Sequence, residues 1–120
     1  MTTRVDPAWL LAGLGHTPGV VALRGGRLSF TTDDGVVFDE PLERVKTAFP
    51  WYWFGGGFRA DVVGTRWKIS LTRPEGAPRP SAGLLRLGGL DGGLGAAAGS
   101  LADVAEGRRR GRAWREVLSG

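Results

Sequence analysis

The 120-residue chain has no cysteine, a single histidine, a single methionine and a single tyrosine. Without a thiol it can form no disulfide, iron–sulfur cluster or thiolate zinc site and has no cysteine nucleophile, so its stability has to come from packing. His16 stands beside Thr17-Pro18 with no second ligand near it in sequence, which reads as a cap or surface residue rather than half of a metal site. No metal and no cofactor are expected. Long apolar runs are also missing: Trp9-Leu10-Leu11-Ala12 follows Asp6-Pro7 and is too short for a signal-peptide core or a membrane span, so the expectation is a cytoplasmic protein. Lysine is scarce, with Lys46 and Lys68 against many arginines, and Ala and Gly are abundant. A GC-rich coding bias of a bacterial kind accounts for this better than selection for a ligand. The formal net charge of +4 is too small to choose among nucleic acid, anionic lipid and acidic proteins.

Catalytic groupings are missing too. Asp33-Asp34 and Asp39-Glu40 are neighbours in sequence, and neighbours on a strand point to opposite faces, so neither pair makes an acid–base dyad. No nucleophile, base and orienting residue assemble, and an enzyme is not expected. Gly93-Leu94-Gly95-Ala96-Ala97-Ala98 matches the G-x-G-x-x-A dinucleotide pattern formally, but no strand leads into it and the sequence stops short of a second strand. A Gly/Ala linker is the simpler account. The chain shows neither a helix-turn-helix pattern nor zinc ligands, so a nucleic-acid reader is not expected.

What is present is punctuation and alternation. With 42% hydrophobic and 23% charged residues the composition is globular, and 21 Gly with 7 Pro imply many turns. Asp6 as cap, Pro7 at the first helical position and Gly13 or Gly15 as stop predict a short helix from Asp6 to about Gly13. Val20-Val21-Ala22-Leu23, Gly25-Gly26 and Arg27-Leu28-Ser29-Phe30-Thr31 predict a β-hairpin. Asp33-Asp34-Gly35 turns the chain into a third strand at Val36-Val37-Phe38. Phe58, Ala60 and Val62, then Trp67, Ile69 and Leu71, alternate with polar residues across a turn at Gly64-Thr65 and give the clearest hairpin. Residues 74–99 read as a flexible Pro/Gly/Ala-rich loop with a short strand at Leu84-Leu85-Arg86-Leu87. Ser100 and Asp103 form a capping pair, and Leu101, Val104, Trp114, Val117 and Leu118 predict a terminal helix that Gly107 and Gly111 weaken. One domain spans residues 1–120.

Hairpins at Gly19 to Phe30 and Phe58 to Pro74, a strand at Val36 to Leu42 and the helical Ala113-Trp114-Arg115-Glu116-Val117-Leu118 together resemble the pleckstrin-homology-like superfold, including its GRAM-type relatives. The resemblance implies an α+β, mainly β, fold: a bent antiparallel sandwich or partly open barrel with a C-terminal helix, joined here by the short N-terminal helix. It also implies that the helical Trp plugs the gap between sheets. Phosphoinositide-binding members carry basic residues around the first hairpin turn; here Arg24 and Arg27 flank Gly25-Gly26, but Ser29 stands where a further basic residue belongs.

Two segments could bind. Trp51-Tyr52-Trp53-Phe54, followed by Gly55-Gly56-Gly57 and Phe58, concentrates the large aromatic side chains that dominate interface energies, and makes these five aromatics the candidate contacts for a protein or peptide partner. Packing of the same rings into the core is the alternative. Arg108, Arg109, Arg110 and Arg112, with Arg24 and Arg27, are candidate anion contacts, which would place the protein at the inner membrane face; a solvated helix surface is the plainer account of the cluster. The expected function is therefore a non-catalytic interaction module for a protein or peptide, with an anionic-lipid binder as the alternative. Homodimerisation through a strand edge or the aromatic segment is a further expectation.

Overall fold

The computed structural model describes residues 3–12, 15–50, 56–72, 74, 77, 80–87 and 100–119. Seven strands come first: β1 (Arg4–Ala12), β2 (Gly15–Arg24), β3 (Arg27–Thr32), β4 (Gly35–Pro41), β5 (Val45–Ala48), β6 (Gly57–Val62) and β7 (Thr65–Ser70). A single 3-10 turn, Leu42–Arg44, separates β4 from β5, and helices α1 (Ala82–Leu87) and α2 (Ser100–Ser119) follow. The strands form one antiparallel sheet in the order β4-β3-β2-β1-β7-β6-β5. Two meanders are thus joined where the first strand lies beside the seventh. Among the described residues β4 and β5 do not pair with each other, so the sheet is open, with these two strands as its edges.

The predicted helix at Asp6 to Gly13 is not formed; Arg4–Ala12 is strand β1. The misreading has a physical cause. β1 is a central strand whose residues 6–10 are all buried, so both of its faces are apolar and the alternation that marks a half-exposed strand is missing. Pro7 and Pro18 fit into this sheet because each lies where its strand has one partner. β1 pairs with β7 only over Trp9, Leu10 and Leu11, and β2 pairs with β3 only from Val20 onward. Asp6 caps nothing; its carboxylate points to α2, as described below.

The inner face of the sheet carries the main core: Ala8, Leu10, Val21, Leu23, Leu28, Phe30, Phe58, Ala60, Val62 and Ile69, with Trp114 from α2. The sheet is sharply curled. Phe38 on β4 and Trp67 on β7 stack with centroids 6.3 Å apart, although four strand spacings separate them in the sheet. In a flat sheet those spacings would amount to about 19 Å. A second ring series, Phe49 to Phe58 at 5.4 Å and Phe58 to Trp114 at 5.9 Å, runs from the end of β5 to the helix.

A smaller apolar layer lies on the outer face. Trp9, Val20 and Ala22 alternate with the core residues of β1 and β2, yet they too are buried, as are Ala77 and Leu84 beyond the sheet. α1 packs on β2 and supplies Leu84. Leu84-Leu85-Arg86-Leu87, predicted as strand, is therefore part of a helix. Ser81 caps it by accepting the Leu84 N–H at 3.1 Å, and the same hydroxyl donates to Asp33 Oδ1 at 2.6 Å, tying α1 to the β3–β4 turn.

Both hairpin turns need left-handed backbone. Gly25 and Gly26 have φ of 57° and 75°, the mirror-image turn that matches strand twist, while the second hairpin turns at Val63-Gly64, with φ of 48° and 80°, one residue earlier than Gly64-Thr65. α2 begins at Ser100 as predicted. Its central glycines have a role the helix propensity scale misses. Gly107 and Gly111 are buried and share a side with buried Trp114 at i, i+4 and i+7 spacing, and a Cβ on Gly107 would run into the side chain and backbone of Thr72. Gly107 lets the helix lie close to the end of β7.

Candidate functional site

The aromatic segment is best approached from its two roots, because Trp51, Tyr52, Trp53 and Phe54 lie outside the described residues. On one side β5 leads through Phe49 to Pro50; on the other Gly56 leads into β6. The roots are clasped together by the Phe49–Phe58 ring contact and by the register Ala48 to Arg59. Gly56 is held as well: its carbonyl accepts the N–H groups of Leu71 at 2.8 Å and Thr72 at 3.2 Å. Gly57 sits against the Ile69 carbonyl, leaving no room for a Cβ. Phe58, proposed from the sequence as a partner contact, is fully buried between Phe49 and Trp114. It belongs to the anchor of the segment, not to an exposed surface.

The neighbouring strand has an open side. β5 hydrogen-bonds to β6 through Val45, Lys46, Thr47 and Ala48, and nothing among the described residues pairs with its other edge. Its unpaired backbone groups are the kind of edge to which a second extended chain adds.

The arginines proposed as anion contacts separate into several environments. Arg24 is exposed on the first hairpin. Arg27 is already engaged: Nε donates to Asp39 Oδ1 at 3.0 Å and Nη2 to the Asp39 carbonyl at 3.0 Å. On α2, Arg108, Arg109 and Arg112 are exposed, joined by Arg115, whereas Arg110 turns inward. Its Nε lies 3.6 Å from Asp6 Oδ1.

Asp6, expected from the sequence to cap a helix, has a different role in strand β1. Buried on the inner face of β1, it accepts the Trp114 indole N–H at 2.8 Å on Oδ2. Arg4 Nε stands 2.8 Å from the same oxygen, an ion pair whose N–H is off the line a hydrogen bond requires. With Arg110 on the other oxygen, one carboxylate locks the first strand to the last helix. A buried carboxylate needs such partners, and here every neighbour has a structural task.

His16 is exposed near the start of β2, opposite Leu11. Among the described residues no group of His, Asp and Glu could hold a metal ion, and no helix is long and apolar enough to cross a membrane. The Gly93 to Ala98 segment lies outside the described residues. No family model matches the chain, nor does any curated protein or solved structure.

Proposed function

We propose that this chain is a non-catalytic interaction module of pleckstrin-homology-like type, which binds an extended protein or peptide segment along β5 and uses the Trp51 to Phe54 aromatics as its apolar contacts. The observation that carries the reading is the position of β5. Among the described residues it is an edge strand with one side unpaired, and it runs directly into an aromatic segment whose roots are fixed by Phe49, Gly56 and Phe58. Backbone pairing would supply affinity and the aromatics specificity. The family part of the reading is supported by two meanders curled around one core and by a terminal helix whose Trp114 stacks on Phe58. A bent, partly open barrel is the form of sheet this reading assigns.

The test is to select binding peptides from a displayed random library and titrate one into labelled protein. Amide signals of Val45–Ala48 are expected to move most, and a Trp51→Ala, Trp53→Ala variant with unchanged melting is expected to bind at least about tenfold more weakly. Peptides whose signals map elsewhere, or whose affinity the double variant retains, would overturn the reading. A variant that unfolds would return these rings to the core.

A second reading has its own observation: Arg108, Arg109, Arg112 and Arg115 are exposed together on α2. Such a face suits an anionic membrane surface. Vesicle sedimentation indifferent to anionic lipid and to salt would exclude it.

A further inference from the structure

The outer face of the β5–β6–β7 block carries a charge arrangement that neither reading above uses. Strand alternation puts Lys46, Arg59, Asp61, Arg66 and Lys68 on this face, opposite Phe58, Ala60, Val62 and Ile69. Within the block Asp61 is the sole carboxylate, and Arg66 already occupies it, with Nε 3.1 Å from Oδ1. The next register pair is different. Arg59 on β6 stands directly opposite Lys68 on β7, and Lys46 on β5 lies on the diagonal, opposite Asp61. These are the chain's only two lysines.

Directly opposed side chains in an antiparallel pair have Cβ atoms about 5 Å apart, and like charges at that position destabilise the pair. Arg59 adds a second cost. Its Nε is shut off from solvent with no hydrogen-bond partner in the structure, although the residue as a whole is half-buried. Among the described residues no ion pair relieves Arg59, Lys46 or Lys68. The two opposed cations can be relieved together by one group: an oxyanion bearing more than one charge, seated over the outer face of the two strands. A monovalent carboxylate would leave the group net positive. A phosphate offers oxygens to the planar fork of Arg59 and to the compact ammonium of Lys68 from a single point, with Lys46 within the reach of a further oxygen.

We propose that Arg59 and Lys68, assisted by Lys46, form a binding site for a phosphate monoester or polyphosphate on the outer face of β6 and β7. The site is separate from the β5 edge, which engages backbone groups, and from the α2 arginines. Its phosphate can come from a soluble molecule or from a lipid headgroup.

Inorganic pyrophosphate titrated into labelled full-length chain is the first probe. Saturable shifts centred on the amides of Arg59 and Lys68, reaching Leu11 and Ala48 beside them in register, are the expected result. Lys68→Glu places a carboxylate opposite Arg59; it should raise the melting temperature and weaken pyrophosphate binding by at least about tenfold. Arg59→Gln with Lys68→Gln should lose binding to a similar degree without the gain in melting temperature. Arg112→Gln with Arg115→Gln on α2, matched in charge to that pair, should change binding by less than about twofold. Equal losses in the two Gln pairs would reduce the effect to net charge and overturn the proposal, as would retained binding in Lys68→Glu. Should the Arg59, Lys68 pair fail to fold, the Lys68→Glu variant decides alone. Vesicles of phosphatidylcholine with and without phosphatidic acid then identify the source. Sedimentation with phosphatidic acid that is lost in Lys68→Glu assigns a headgroup, and pyrophosphate binding without sedimentation assigns a soluble ligand. Neither pyrophosphate shifts nor sedimentation would remove the site.

Discussion

The two faces of the sheet are closed in different ways. The inner face is gathered around large rings and sealed by one helix, with Trp114 packed on Phe58 and bonded to Asp6. Among the described residues the outer face is buried over β1 and β2, at Trp9, Val20 and Ala22, and it carries charge over β5 to β7. The inner face thus holds most of the described core, whereas the outer face of β5 to β7 presents charged side chains.

Four substitutions test this asymmetry, beginning with the largest expected effect. Trp114→Ala opens the inner core and removes the indole donor from the Asp6 carboxylate, and should cost about 3–5 kcal/mol in urea denaturation. Trp114→Phe keeps most of the packing but removes the N–H donor, and should cost about 1–3 kcal/mol. If Trp114→Phe were neutral, the Asp6 bond would be incidental and the ring alone would seal the face. Leu84→Ala thins the outer layer and should cost about 2 kcal/mol, the low end for a buried leucine because α1 is short and can settle. A loss equal to that of Trp114→Ala would show both faces to be equally needed. Gly107→Ala is the finest probe. Helix propensity alone favours alanine by about 1 kcal/mol, yet the collision with Thr72 should leave the variant about 1–2 kcal/mol less stable by thermal melting. A stabilised variant would mean that α2 sits further from the sheet than described.

The legible parts of this fold are those in which local chemistry and environment agree. Gly25-Gly26 announces its turn, and Phe58 to Leu71 alternates because one side of that hairpin is wet and the other dry. β1 was not legible for the opposite reason: Trp9 is buried as well as Leu10, so both sides of the strand are dry, and a doubly buried strand has the pattern of a short helix. α1 is six residues long and too short for a helical period to emerge. Gly107 and Gly111 were visible as glycines, but only the approach of α2 to Thr72 shows what they permit. The same holds for the candidate sites. The Trp51 to Phe54 run stands out in the sequence, whereas the opposition of Arg59 and Lys68, and the meeting of Asp6 with Trp114, depend on register and topology that no local signal encodes.

The bond between Asp6 and Trp114 spans 108 residues of chain. At a translation rate of about 5–20 residues per second, on the order of ten seconds separates the synthesis of its two ends on a ribosome. During that interval the emerging strands can pair, but their inner face has no lid, and the Asp6 carboxylate has only Arg4 to answer it. Until α2 is made, the inner face lacks the Trp114 ring and the Asp6 carboxylate lacks its indole donor.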